Sequence, residues 1–278
     1  MSNTKLLIFT DLDGSLLDHD NYSHAPADEL LHAIDTNNIP LIPVSSKTLN
    51  ELEVFRNSIH NKHPFIVENG AAAFIPVDYF AEQPLNTQTI ANYWVKEWVA
   101  PRQHWQSLLE NTAGEFSDCY TSFAQAGVEG IMAMTGLDVA AATRAAKKHY
   151  SEPLQWHGSK EQQQVFVAQL RSQGANVLEG GRFLHISGHC DKGIALKWLA
   201  EQFSLHSDQA VKTLAIGDSD NDIAMLKSAD YAVVVRSPVH EPLQLAAPAK
   251  VYTSNNTGPT GWVEGVQHYL NTLNIYLR

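Results

Sequence analysis

Predominantly hydrophobic runs recur along the first part of the chain, and segments with helical spacing of apolar residues lie between them. The runs cover residues 5–10, 39–44 and 65–67. Runs without a polar face are typical of strands that are buried on both sides of a parallel sheet. Between them, residues 26–37 and 49–59 place apolar side chains three and four positions apart. This alternation predicts a parallel α/β sheet.

The pattern changes in the middle of the chain, where short strand-like segments replace the long alternation. One such segment covers residues 154–156, and two more lie within 177–186 around the pair Gly180-Gly181. Ser159 is followed three residues later by Gln162, which is the capping-box pattern that opens a helix. Short strands with helices between them indicate an α+β region.

The strand and helix alternation resumes near Asp191 and continues to the last amphipathic helix. We therefore predict a doubly wound, Rossmann-like parallel-sheet core with an inserted α+β cap domain. The first part of the core is predicted to cover residues 1–80 and the second part residues 188–278. The cap domain is predicted to cover residues 81–187.

Composition and charge narrow the class of protein. The chain has 278 residues, of which 44% are hydrophobic and 18% are charged, as in a globular protein. No signal peptide or apolar stretch long enough for a transmembrane helix is recognised, and Cys119 and Cys190 lack metal-ligand spacing. We therefore expect a cytoplasmic protein without a membrane partner. The formal charge of −11 opposes nucleic-acid binding, and the oligomeric state stays open.

Two acidic clusters stand directly after hydrophobic runs. Asp11 and Asp13 follow the first run, and Asp218 and Asp222 follow a run far along the chain. Alternate residues of an extended chain point to the same side, so Asp11 and Asp13 are expected to face one site. Carboxylates this close repel each other unless a cation or a shared proton separates them. The clusters therefore predict a hard metal ion or acid/base chemistry at the carboxyl edge of the sheet.

Four motifs occur in a fixed order near strand ends and helix starts. They are Asp11-x-Asp13-Gly14-Ser15, Ser45, Lys192 and Gly217-Asp218-x-x-Asn221-Asp222. This ordered set resembles the four motifs of the haloacid dehalogenase superfamily of phosphatases. Ser15 stands where that superfamily usually has threonine. The long stretch between Ser45 and Lys192 resembles the type-two cap of the superfamily's sugar-phosphate branch.

Further motifs of lower specificity, here called the softer motifs, resemble the mannosyl-3-phosphoglycerate phosphatase branch over nearly the whole chain. They are Ser45-Ser46-Lys47-Thr48, Glu68-Asn69-Gly70-Ala71-Ala72, Ser151-Glu152-Pro153, Gly181-Arg182-Phe183-Leu184-His185 and Gly258-Pro259-x-Gly261-Trp262. The resemblance implies hydrolysis of 2-O-mannosyl-3-phosphoglycerate to mannosylglycerate and phosphate. Alternatives are a phosphatase of another glycosylglycerate or sugar phosphate, a phosphoryl-transferring mutase, and a non-catalytic protein that binds a phosphorylated ligand.

The resemblance also implies roles for individual residues. Asp11 is expected to be the nucleophile that forms an aspartyl-phosphate, and Asp13 the general acid and base. Lys192 is expected to pair with both the nucleophile and a phosphoryl oxygen. The expected cofactor is Mg²⁺, with Asp11, Asp218 and the backbone carbonyl of Asp13 as ligands and Asp222 close by through a water.

Phosphate and substrate contacts complete the expected site. The expected phosphate-binding residues are Leu12, Ser45, Ser46, Lys192 and Asn221. The expected substrate-binding residues are Lys47, Glu68, Asn69, Arg182 and His185. Arginine is suited to bidentate recognition of a carboxylate such as that of glycerate. The expected partner is therefore a small phosphorylated sugar or glycerate.

Overall fold

The computed structural model describes residues 4–112, 114–179, 182–246 and 250–277. The strands in chain order are β1 (Thr4–Thr10), β2 (Leu41–Pro43), β3 (Phe65–Val67), β4 (Ala72–Pro76), β5 (Gln88–Ile90), β6 (Tyr93–Glu97), β7 (Tyr120–Ser122), β8 (Glu152–Trp156), β9 (Asn176–Glu179), β10 (Leu184–Ser187), β11 (Ala210–Gly217), β12 (Tyr231–Arg236) and β13 (Lys250–Thr257). The α-helices are α1 (Asp28–Thr36), α2 (Leu49–Ser58), α3 (Arg102–Thr112), α4 (Phe123–Thr135), α5 (Val139–Ala145), α6 (Lys160–Ser172), α7 (Lys192–Leu205), α8 (Ile223–Ser228) and α9 (Gly258–Thr272).

The chain divides into two compact units. The first unit comprises Met1–Ser46, Arg56–Lys96 and Asp191–Arg278, and the second comprises Lys47–Phe55 and Glu97–Cys190. In this division the residues between Phe80 and Glu97 group with the first unit. The domain boundaries given in the sequence analysis stay a prediction.

A five-stranded parallel sheet organises the first unit. Its strand order is β13-β12-β11-β1-β2, and the neighbouring strands pair in parallel. Strand β1 lies inside this sheet, and Leu7, Ile8 and Phe9 are fully buried. Burial on both faces explains why its sequence shows no polar alternation. The predicted fold class, a parallel α/β core accompanied by an α+β region, is confirmed.

A second sheet in the first unit has the order β3-β4-β6-β5. Strand β3 was predicted, whereas β4, β5 and β6 were not. All three residues of β5 are exposed, so this edge strand has no hydrophobic pattern for a sequence to reveal. Val44 and Ile66 form a parallel bridge that links the end of β2 to β3.

An antiparallel sheet of order β7-β8-β10-β9 organises the second unit. Its hydrophobic core includes Trp105, Leu154, Phe166, Leu170 and Leu184. The predicted capping box at the start of α6 is confirmed, since the Ser159 side chain accepts from the Gln162 N–H. Gly180 and Gly181, the pair around which two short strands were predicted, lie outside the described residues.

The last part of the first unit contains one strand that the sequence patterns do not predict. Before it, a 3-10 turn, Asp220–Asp222, leads into the short helix α8. Strand β13 was not predicted, because most of its side chains are exposed at the edge of the sheet.

Among the described residues, no helix combines the length and the apolar character that crossing a membrane requires.

Candidate active site

The acidic clusters meet because their strands are neighbours in the parallel sheet. Strands β1 and β11 pair in register, with Thr10 opposite Ile216. Asp11 follows β1 and Asp218 follows β11, so both carboxylates emerge at the carboxyl edge. The backbone N–H of Asp11 donates to the Ile216 carbonyl at 2.9 Å, which continues the pairing as far as the site.

A buried ammonium group joins two of the carboxylates. Lys192 Nζ lies 2.6 Å from Asp11 Oδ1 and 2.6 Å from Asp222 Oδ1. Lys192 and Asp222 are fully buried, and Asp11 is 5% exposed. Asp191 positions the lysine, since its side chain accepts from the Ile194 N–H at 2.7 Å and so caps α7 one residue before Lys192.

The carboxylates of Asp11, Asp218 and Asp222 place oxygen atoms within 4.8 Å of one another. Three buried carboxylates therefore face one buried ammonium. Clustered oxygens with surplus negative charge match the ligand preference of a hard divalent cation. The residues that are present thus fit a metal ion, although both oxygens of Asp222 already accept hydrogen bonds. Asp222 Oδ2 accepts from the N–H groups of Asp218 and Ser219, each at 3.1 Å.

Burial and mutual repulsion shift the pKa values of these groups. Burial, followed by the charge of Asp222, raises the pKa of Asp11 well above its usual range, and Lys192 opposes that rise. The same two causes raise the pKa of Asp218 to about 6. Burial by itself would lower the pKa of Lys192, but Asp11 and Asp222 outweigh it and raise that pKa. The ammonium therefore stays charged, but its single positive charge does not balance the negative charge of the carboxylates.

The turn after β1 supports Asp218 and requires glycine. Gly14 has a φ of +81°, and a Cβ at this position would lie 2.6 Å from Asp218 Oδ2. Ser15, which replaces the usual threonine, donates from Oγ to Asp218 Oδ1 at 3.3 Å. Asp13 is half-buried with its Oδ1 closed to solvent, and its charge adds to the rise in the Asp11 pKa.

The expected phosphate-binding residues of the first unit lie in connected turns. Ser45 is 1% exposed at the end of β2, and its carbonyl accepts from the Asn69 N–H at 2.9 Å. Asn69 Oδ1 accepts in turn from Asn221 Nδ2 at 3.1 Å. Leu12 is buried, and Ser46 is half-buried. The hydrogen bonds thus link the expected phosphate residue Asn221 to the expected substrate residue Asn69.

The turn at Glu68 and Asn69 has an unusual backbone. Glu68 has a φ of 47° and Asn69 a φ of 61°, and Glu68 is only 3% exposed. Gly70 has a φ of +95°, and a Cβ there would collide with the backbone carbonyl of Asp191. The turn therefore packs directly against the start of α7, beside Lys192. Non-glycine residues in the left-handed region cost free energy and cluster at functional sites.

The remaining expected substrate residues belong to the second unit. Lys47 is half-buried and precedes α2, and Arg182 is exposed with Nη1 donating to the Thr135 carbonyl at 3.4 Å. His185 is half-buried on β10, where burial and then the charge of Lys148 lower its pKa to about 4. The imidazole is therefore neutral at pH 7.

Some residues near the carboxylates were missed or given no role from the sequence. His240 Nε2 lies 3.8 Å from Asp218 Oδ2, although no local pattern in its loop marks that residue. Trp262 belongs to one of the softer motifs, but the motif gave no reason to place it beside β1. Trp262 Nε1 donates to Thr10 Oγ1 at 2.9 Å. Such long-range contacts depend on the sheet order, which single-sequence patterns do not fix.

Comparison with known proteins gives consistent findings. A family model described as haloacid dehalogenase-like hydrolase matches residues 8–113, and a model of sucrose-6F-phosphate phosphohydrolase matches residues 161–270. A glucosyl-3-phosphoglycerate/mannosyl-3-phosphoglycerate phosphatase of Methanococcoides burtonii is 34% identical over 270 residues, covering 97% of this chain and 99% of the relative. A protein of Persephonella marina with the same description is 30% identical, covering 96% of this chain and 98% of the relative.

Solved structures show the same fold at lower identity. A haloacid dehalogenase-like hydrolase from B. subtilis has a TM-score of 0.63 at 17% identity, covering 96% of this chain and 99% of that chain. The sucrose-phosphatase of Synechocystis, solved with sucrose and phosphate, has a TM-score of 0.60 at 14% identity, covering 97% of this chain and 98% of that chain. At this level of identity the likeness concerns the fold alone.

Proposed function

The chain belongs to the haloacid dehalogenase-like hydrolases and is a phosphoric monoester hydrolase, and on this premise we propose that it hydrolyses a glycosyl-3-phosphoglycerate. The first candidate substrate is 2-O-mannosyl-3-phosphoglycerate, and the products would be mannosylglycerate and phosphate. The near full-length relatives support this substrate class, because both are described as phosphatases of glucosyl- and mannosyl-3-phosphoglycerate. The glucosyl compound is the nearest alternative.

The observation that carries the proposed chemistry is the pairing of Asp11 with a buried lysine. Lys192 holds one oxygen of Asp11 at 2.6 Å, which restricts the carboxylate and balances part of its charge. We assign Asp11 as the nucleophile. Its oxygen would form a bond to phosphorus while the bond from phosphorus to the glycerate oxygen breaks.

Asp13 is the proposed general acid and base. It would give a proton to the departing alkoxide and then take one from the water that attacks the aspartyl-phosphate. That second step would release phosphate and restore the Asp11 carboxylate. Its half-buried side chain, two residues beyond Asp11, supports this role.

Mg²⁺ is the proposed cofactor, because surplus carboxylate oxygens cluster where an anionic substrate must bind. Asp11, Asp218 and the backbone carbonyl of Asp13 would hold it. Asp222 would act through a water, in keeping with the hydrogen bonds that its two oxygens already accept. When bound, the ion would screen the repulsion between the nucleophilic carboxylate and the phosphoryl group.

The remaining groups would bind and select the substrate. Lys192, the Ser45 hydroxyl, the Asn221 amide and the backbone N–H groups of Leu12 and Ser46 are proposed donors to phosphoryl oxygens. The proposed residues for the glycerate and sugar are Lys47, Glu68, Asn69, Arg182 and His185. Because its pKa is near 4, His185 would hydrogen-bond as a neutral imidazole rather than form an ion pair.

Phosphate release from a panel of esters tests the proposal. The panel contains mannosyl- and glucosyl-3-phosphoglycerate, sucrose 6-phosphate and simple sugar phosphates, each with Mg²⁺ and with EDTA. We expect kcat/KM to be highest for a glycosyl-3-phosphoglycerate and activity to vanish with EDTA. A preference for sucrose 6-phosphate or simple sugar phosphates would contradict the substrate proposal, and full activity in EDTA would contradict the cofactor.

A further inference from the structure

A buried hydrogen-bond relay runs from α9 to the backbone of Asp11. The Trp262 indole Nε1 donates to Thr10 Oγ1 at 2.9 Å, and the Thr10 hydroxyl donates to the Asp11 backbone carbonyl at 2.7 Å. Trp262 and Thr10 are both fully buried. The relay therefore connects a sequence motif without an assigned role to the residue that we propose as the nucleophile.

The chemistry of the donors fixes the direction of this relay. An indole N–H can donate but cannot accept, so the Thr10 oxygen must accept from Trp262. The single hydroxyl hydrogen of Thr10 then points to the Asp11 carbonyl. Trp262 thus removes the rotational freedom that a hydroxyl group otherwise has.

The start of α9 is held in place by strand β13. A Cβ on Gly261 would collide with the backbone carbonyl of Asn256 and would lie 2.7 Å from Ser254 Oγ. The Glu264 carboxylate accepts from the backbone N–H groups of Asn255 and Asn256 at 2.9 and 3.1 Å. This close packing gives the Trp262 side chain one fixed origin from which to reach β1.

The anchored carbonyl shares a peptide plane with the Leu12 N–H. In a planar trans peptide the C=O and N–H groups point in opposite directions, so fixing one fixes the other. We propose that Trp262, through Thr10, is a positioning residue that aims the Leu12 N–H at the transferring phosphoryl group. The inference rests on the proposed roles of Asp11 and Leu12.

The variant Trp262→Phe removes the indole N–H and keeps an aromatic ring. We expect kcat to fall about 5-fold, which corresponds to one net hydrogen bond, while KM stays within about 2-fold. The affinity for beryllium trifluoride with Mg²⁺, which mimics the aspartyl-phosphate, should fall by a similar factor. This second readout depends on the geometry at Asp11 and not on turnover.

Tyr269→Phe is the matched control on the same helix. Tyr269 is 2% exposed, and its hydroxyl donates to the backbone carbonyl of Lys250 and lies 3.3 Å from that of Ala232, away from Asp11. Both variants should lower the Tm, but only Trp262→Phe should lower kcat. An unchanged kcat in Trp262→Phe, or an equal loss in Tyr269→Phe, would overturn the positioning role.

Thr10→Val removes the hydroxyl in the middle of the relay and leaves Trp262 in place. We expect Thr10→Val combined with Trp262→Phe to lose no more kcat than Thr10→Val alone, because both changes break one relay. Fully additive losses would contradict the relay. The kcat of each variant relative to the wild type is measured on p-nitrophenyl phosphate as well as on mannosyl-3-phosphoglycerate. A failure of the substrate proposal is then separated from a failure of this inference.

Discussion

A buried network of carboxylate and cation lies in each compact unit, and the two networks differ in charge balance. In the second unit, Glu152 is fully buried and accepts from Arg102 Nε at 2.5 Å and from Arg102 Nη2 at 3.0 Å. Gln106 Nε2 and the Ala124 N–H also donate to Glu152, each at 2.9 Å. The negative charge of one carboxylate is thus balanced by one guanidinium, and each oxygen of Glu152 accepts from two donors.

The network of the first unit is unbalanced. Lys192 meets Asp11 and Asp222, and Asp218 adds a third carboxylate within the same few ångströms. Buried charges that are not fully balanced by opposite charges destabilise a fold. A surplus of buried negative charge therefore persists where a ligand or a reaction needs it. The comparison indicates that the Glu152 network serves stability and the Asp11 network serves chemistry.

Asp11→Asn gives the largest expected effect. Without a nucleophilic carboxylate, we expect kcat to fall by about 10⁴-fold or more, while the Tm holds or rises because a repelling buried charge is removed. Phosphate release and thermal unfolding measure the two quantities. Asp230→Asn is the control, since Asp230 accepts from Lys212 Nζ at 2.6 Å at the other end of the sheet and should lower stability without lowering kcat. Activity retained in Asp11→Asn would contradict the comparison.

Glu152→Gln tests the balanced network. The substitution keeps the shape but leaves the Arg102 guanidinium without its counter-charge, so we expect a loss of about 3 kcal/mol in the free energy of unfolding. The value of kcat for the folded fraction should stay within about 2-fold of the wild type. Urea unfolding followed by circular dichroism gives the free energy. A large loss of kcat with unchanged stability would show that the two networks are not separated as described.

The pH dependence of stability tests the surplus charge directly. Because the pKa of Asp218 is raised to about 6 in the folded state, folding favours its protonated form. In the metal-free protein this contribution is greatest below pH 4 and is lost as the pH rises through 6, by about 2–3 kcal/mol. Urea unfolding of the wild type and of Asp218→Asn from pH 4 to 8 isolates it. We expect the difference in the free energy of unfolding between these two proteins to grow with pH and to shrink when Mg²⁺ is added. A difference that does not change with pH would contradict the account.

The smallest expected effect concerns the second unit. His185→Gln should raise KM for mannosyl-3-phosphoglycerate about 5-fold, as expected for one lost hydrogen bond, and leave p-nitrophenyl phosphate hydrolysis unchanged. Because the pKa of His185 is lowered to about 4, the wild-type KM should show no His185 titration between pH 6 and 8. Steady-state kinetics on both esters check this. An equal change on both esters would argue against a role in selectivity.

Much of the core could be predicted because its signals are local. The buried run ending at Thr10 and the acidic residues just beyond it follow from burial and spacing alone. The proximity of Asp11 to Asp218 follows from adjacent parallel strands, which register Thr10 opposite Ile216. The start of α6 is likewise predicted by Ser159, because its capping partner lies only three residues away.

Other features depend on contacts that no local pattern encodes. Strand β5 is exposed throughout, so it lacks an apolar face. His240 approaches Asp218 from a loop, and Trp262 reaches Thr10 across 252 positions of sequence. The left-handed φ of Glu68 also lacks a local signal, because glutamate does not favour that conformation.

The most direct test of the central claim is to find the phosphoryl group during turnover. Acid-quenched enzyme from a reaction with mannosyl-3-phosphoglycerate and Mg²⁺ would be treated with borohydride, which reduces an aspartyl-phosphate to homoserine. Peptide mass spectrometry would then locate the modified residue. Our account predicts homoserine at position 11 in the wild type and none in Asp11→Asn. Modification at another residue, or turnover without any trapped intermediate in Asp13→Asn, would contradict it.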